Sequence, residues 1–103
     1  MSLKTKTDYV LACRVVKTVI DEWDPYALLA QGAPADEFNR EVAALVPHIR
    51  HIRGIEDAAQ AVSHVFSAAF EAQDFGVEAC RPVGSRLFDA LVTAGFLPSG
   101  DSH

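Results

Sequence analysis

Apolar residues in the first quarter of the chain recur at spacings of three and four: Tyr9, Ala12, Cys13, Val16, Val19, Ile20 and Trp23. That period predicts an amphipathic helix from about Thr7 to Trp23, with Arg14, Lys17 and Asp21 left for the other side. Val10, Leu11 and Val15 widen the stripe, which predicts a central helix packed on more than one side. A second pattern, Phe38, Val42, Leu45, Ile49 and Ile52, runs in phase from a start near Ala35-Asp36 to Gly54. Pro47 lies inside it and cannot donate its backbone bond, so a kink or a break with a short second segment is expected there.

A third helix is expected to open near Ile55-Glu56-Asp57, with Ala58, Ala59, Val62, Val65, Phe66, Ala69 and Phe70 inward, and to end before Gly76 as a left-handed cap. Its alanines predict close approach of a neighbouring helix. A fourth is expected from about Pro82 to Ala94, with Val83, Leu87, Phe88, Leu91 and Val92 inward and Gly95 as its cap. No strand pattern, repeat or linker interrupts this order. The expected fold is all-α, one domain over residues 1–103 with an ordered core of about 7–97, arranged as a compact four-helix bundle or orthogonal array. Periodicity reports faces and not crossing angles, so it does not choose between the two. The polar tail Pro98–His103 is expected to be frayed.

Between the first two helices lies the most distinctive stretch, Asp21-Glu22-Trp23-Asp24-Pro25-Tyr26-Ala27-Leu28-Leu29, followed by Gly32-Ala33-Pro34-Ala35-Asp36-Glu37-Phe38. The proline ring pushes Asp24 out of the α region, so the helix carrying Trp23 should stop there. A structured corner is expected, with Trp23, Asp24, Pro25, Pro34 and Asp36 as its architecture. Asp24 and Asp36 are suited to accept backbone bonds as turn and N-cap residues. Glu22, Tyr26 and Glu37 are left as a candidate interaction patch, an aromatic framed by carboxylates.

This corner resembles that of the small YugE-like family, a bacterial domain of unknown function (number 1871). The run Val19-Ile20-Asp21-Glu22-Trp23-Asp24-Pro25 with Leu28-Leu29, then Ala33-Pro34 and Asp36-Glu37-Phe38 before Glu41-Val42, is similar to that family's "EWDP" corner and its following "P-x-D-E-Y" helix start. In helix order the resemblance spans roughly residues 9 to 96. It implies an all-helical four-helix domain and brings no enzyme chemistry.

Composition narrows the function classes. With 103 residues, the chain can bury about two-thirds of its unfolded surface and needs no disulfide or metal to fold. Cys13 and Cys80 lack C-x-x-C spacing and read as small hydrophobes. Charges interrupt each apolar run short of the ~20 residues that span a bilayer, and no signal-type apolar run follows the basic start. The cytoplasm and no membrane partner are therefore expected. Nine Lys plus Arg against fourteen Asp plus Glu give −5, the wrong sign for a protein that must neutralise phosphates, so nucleic acid is not expected as a partner.

Candidate chemistry is sparse. His48 and His51 stand three apart, a ligand spacing if Glu41 or Glu56 joins them and His64 only if the third helix lies alongside. Pro47 disturbs that geometry, and neither a metal nor another cofactor is expected. No motif fixes partners for a cysteine nucleophile, and no catalytic residue is assigned. The expected function is a small protein-interaction or accessory module, including the immunity type, that turns an acidic face to a basic protein partner. The alternatives are a binder of a small apolar ligand among Trp23, Phe66, Phe70 and Phe88, and a metal-dependent enzyme using His48 and His51. Oligomeric state leaves no trace in the sequence.

Overall fold

Helix α1 spans Lys6–Trp23 and begins where the Thr5 side chain accepts the Asp8 backbone N–H at 3.0 Å, an N-cap of the usual kind. The computed structural model describes residues 5–70 and 73–97; the expected fraying of Pro98–His103 lies outside them. Three further helices follow, α2 (Asn39–Leu45), α3 (Ile55–Phe70) and α4 (Val77–Thr93), with short 3₁₀ turns at Pro25–Ala27, Val46–His51 and Gln73–Phe75. The described residues contain no strand. The fold is an all-α bundle in which α3 pairs with α4 most closely, while α1 lies against α4 on one side and α2 on another.

The stripe on α1 is buried at Ala12, Val16, Val19 and Ile20, but burial starts only at Ala12. Tyr9 and Val10 are each 45% exposed and Leu11 42%, against the expectation that they extend the packed faces. Packing on two sides therefore belongs to the later turns of the helix, and the apolar residues of its first turns face outward.

Helix α2 starts later than expected. Ala35 to Phe38 form turns in which the Glu37 N–H meets the Pro34 carbonyl at 3.0 Å and the Asn39 N–H meets the Asp36 carbonyl at 3.1 Å. No side chain caps the helix, and no described hydrogen bond ends on the Asp36 carboxylate. The turn instead drives Phe38 fully into the core, where its ring meets Phe66 at 6.2 Å. Pro47 converts the remainder to the 3₁₀ turn Val46–His51, the expected break. Val42, Leu45, Val46, Ile49 and Ile52 are all buried on either side of it, because the core follows the apolar phase and not the helix type.

The alanine-rich face of α3 meets α4 at Gly84. A methyl built at Gly84 would sit 2.7 Å from the Ala59 backbone nitrogen, so only glycine allows this approach. Helix α4 starts at Val77 and not at Pro82, which stands inside it. Cys80, buried with Val83 and Gly84, continues the apolar stripe upstream of the proline, and a single missing N–H does not outweigh that burial. Gly76 is the extended N-cap of α4 at φ −62°, ψ 162°, not a left-handed cap of α3. Gly95 fills its expected role: at φ 89°, its N–H meets the Val92 carbonyl at 3.0 Å and the Phe96 N–H meets Leu91 at 2.9 Å. That is a Schellman closure, and it turns Phe96 and Leu97 into the core.

Candidate functional site

The corner between α1 and α2 is built from strained backbone. Asp24, Tyr26 and Ala27 all have left-handed torsions, at φ 47°, 62° and 54°, a region that costs an L-residue roughly 1–2 kcal/mol. Pro25 between them is buried. The proline does expel Asp24 from the right-handed α region, but into the left-handed region and not the extended one. The reason is visible in the Asp24 carboxylate. One oxygen accepts the Leu29 N–H at 2.8 Å and the other the Ala30 N–H at 3.0 Å. Charged acceptors on backbone donors make strong bonds, and these offset much of the local strain. The chain then winds through Leu28 to Gln31 and is closed by Gly32 at φ 103°, with the Ala33 N–H on the Leu28 carbonyl at 3.0 Å.

Trp23 is half-buried, its ring edge-on to Phe66 at 5.1 Å and to Phe75 at 5.8 Å. Tyr26, 46% exposed, leans on Phe70 at 5.8 Å and Phe75 at 5.4 Å. Its hydroxyl donates to Asp74 Oδ2 at 2.8 Å, from the corner to the turn between α3 and α4. The Asp74 carboxylate raises the Tyr26 pKa, because it holds the phenolic proton and repels the phenolate. At the other end of the corner, the Lys17 ammonium reaches Asp21 at 2.9 Å, the Ala35 carbonyl at 2.7 Å and Asn39 at 3.2 Å. The corner is therefore tied to both α1 and the α3–α4 turn. Pro34 and Asp36 lie exposed at its end.

Glu22 and Glu37 are exposed like Tyr26, but no described hydrogen bond joins either to it. The acid that meets Tyr26 is Asp74, which sequence reasoning did not select. Phe75, the ring shared by Trp23 and Tyr26, was likewise missed, since it sits in a short connection outside any helical period. Lys17 read only as part of a polar face.

A second cluster lies on the opposite pairing, α2 and its 3₁₀ extension against α3. His48 and His64 stand edge to face with ring centroids 5.8 Å apart. Both line a cleft of about 370 Å³ together with His51, Asp57 and Gln60, and an adjoining one of about 330 Å³ with Arg40 and Glu41. Partial burial pushes the His48 pKa below its ordinary value, and His64 and His51 push it further. Glu56, considered as a partner of these histidines, is turned to α4, where it accepts from Arg81 at 2.7 and 3.1 Å. Among the described residues no three histidine, cysteine or carboxylate side chains converge as a closed metal site would require.

The cysteines do not pair: Cys80 is buried and Cys13 half-buried, both as free thiols. Burial raises the Cys80 pKa, which disfavours the reactive thiolate. No described helix is long and apolar enough to cross a membrane.

Residues 15–93 match the family described as "Domain of unknown function (DUF1871)", and the chain belongs to it. The match covers the corner, the break at Pro47 and all of α4. No curated protein and no solved structure matches the chain.

Proposed function

We propose that this member of the family is a small cytoplasmic protein-interaction or accessory module, of the kind that includes immunity proteins, without catalysis of its own. Its contact surface is the corner around Tyr26, with the exposed carboxylates Glu22 and Glu37 as the charged part of the patch, and its partner is a basic protein. One observation carries this reading: an exposed tyrosine is fixed in a left-handed conformation and anchored through its hydroxyl to Asp74. Strain of this sort accumulates where geometry serves function. An aromatic held in place before contact gives binding area with little ordering cost. The net charge of −5 selects for basic partners and speeds their encounter.

The ligand-binding alternative has less support. Trp23, Phe66 and Phe70 are joined ring to ring, with Trp23–Phe66 at 5.1 Å and Phe66–Phe70 at 5.8 Å, as expected of a packed core.

A pull-down with the wild-type chain and with Tyr26→Ala as baits tests the reading. The Tyr26→Ala bait should lose the partner while its circular dichroism spectrum stays helical. Equal capture by both baits removes Tyr26 from the contact surface.

A further inference from the structure

Two of the reasons for setting aside a metal site in the sequence do not survive in the fold. Pro47 does not scatter the histidines: it places His48 and His51 in the 3₁₀ turn Val46–His51. In such a turn three residues complete one revolution, so side chains at i and i+3 eclipse. Helix α3 also does lie alongside, and it brings His64 against His48.

We propose that His48 and His64 form an open two-imidazole site for one divalent transition-metal ion of the zinc, nickel or copper class, with His51 lining the same cleft. The spacing fits. An ion about 2.0–2.1 Å from one nitrogen of each ring lies about 3.2 Å from each ring centre, so two ligating rings stand between about 5.2 Å (tetrahedral angle) and about 6.4 Å (linear) apart. The observed separation is 5.8 Å, within that window; the rings stand edge to face, so a turn of one ring about its own side-chain bond is needed to aim a nitrogen of each at the ion, while the backbone stays in place. Imidazole nitrogens are borderline ligands that favour these ions over magnesium or calcium.

The surroundings favour a cation over an anion. Asp57 and Gln60 share the first cleft, and Glu41 shares the second with Arg40. The carboxylates add negative potential beside the imidazoles and can hydrogen-bond a ligating ring or a metal-bound water. An open site suits the observation that no third donor among the described residues converges on the pair: water completes the shell, and the affinity is modest compared with a closed zinc site. The ion would bridge the 3₁₀ turn to α3 and stiffen a joint made without a continuous helix.

The test uses the untagged chain, stripped with EDTA and desalted, with Zn²⁺ titrated against a chromogenic chelator and Ni²⁺ added to a ¹⁵N-labelled sample. One Zn²⁺ per chain is expected. His48→Gln and His64→Gln should each weaken it about tenfold or more, with a smaller loss in His51→Gln and none in His103→Gln. Paramagnetic broadening by Ni²⁺ should centre on residues around His48 and His64, which gives a readout even if a variant is less stable. His64 is exposed on α3, so its variant retains the fold. Absence of saturable binding up to about 100 μM, an affinity unchanged by His64→Gln, or broadening centred elsewhere overturns the site.

Discussion

The Tyr26 hydroxyl lies 2.8 Å from Asp74 Oδ2, a hydrogen bond between residues 48 apart in sequence that closes the α1–α2 corner onto the α3–α4 turn. Because the pair is exposed, its worth to stability is small. Tyr26→Phe should lower the denaturant midpoint only slightly, and Asp74→Asn, which keeps an acceptor, by less. In the wild type, amide exchange around Gln73–Phe75 should be slower than in Tyr26→Phe. Identical exchange in the two proteins would mean the bond does not order that turn.

Ala27 offers a test with the opposite sign. Its φ of 54° is unfavourable for alanine and costless for glycine, and the residue is exposed. Ala27→Gly should therefore raise stability, by about 0.5–1 kcal/mol once the extra freedom of glycine in the unfolded chain is subtracted. A destabilised variant would show that the backbone here is not left-handed.

Gly84 sits where α4 crosses Ala59, and an added methyl meets backbone that cannot rotate away. Gly84→Ala should cost about 1–3 kcal/mol, as overpacking does elsewhere, despite the higher helix propensity of alanine. A neutral or stabilised variant in urea titrations would mean the two helices are further apart.

His48 carries a pH dependence of definite sign. Its folded-state pKa lies below the unfolded value of about 6.5, so the unfolded chain binds the proton more readily. Stability is then fully present above the unfolded pKa and is lost as pH falls through the folded one. His51, His64, Asp57, Arg40 and Glu41 face the same clefts, and the two histidines oppose a positive charge on His48. With chelator present, the melting temperature should fall between pH 7.5 and pH 5 by more in the wild type than in His48→Gln. Parallel curves for the two proteins would place the dependence on other groups.

What the sequence made legible follows from what periodicity measures. The buried faces of α2 and its 3₁₀ extension were readable, since Phe38 to Ile52 keep one apolar phase across Pro47, and so was α3 from Ala58 to Phe66, whereas Ala69, expected inward, is exposed near the end of the helix. The stop after Trp23 and the cap at Gly95 were readable because Pro25 and glycine constrain backbone directly. The start of α4 was not, because Pro82 is a first-turn residue by preference and the stripe upstream of it is short. The exposure of Tyr9, Val10 and Leu11 was hidden as well: a periodic face is apolar whether or not a neighbour reaches its end. Of the candidate site, the corner and Tyr26 were visible, but Asp74 and the meeting of His48 with His64 depend on long-range packing that no local pattern records.

Binding of a basic partner at the corner is tested by the association rate of the captured partner with wild type and with Glu22→Lys/Glu37→Lys at low and high salt, beside thermal melts of both. Association should be slower in the variant at low salt, by a difference that shrinks as salt rises, with stability altered by less than about 0.5 kcal/mol. Unchanged association together with a collapsed melting temperature would contradict it, and would leave these carboxylates as part of the corner's architecture.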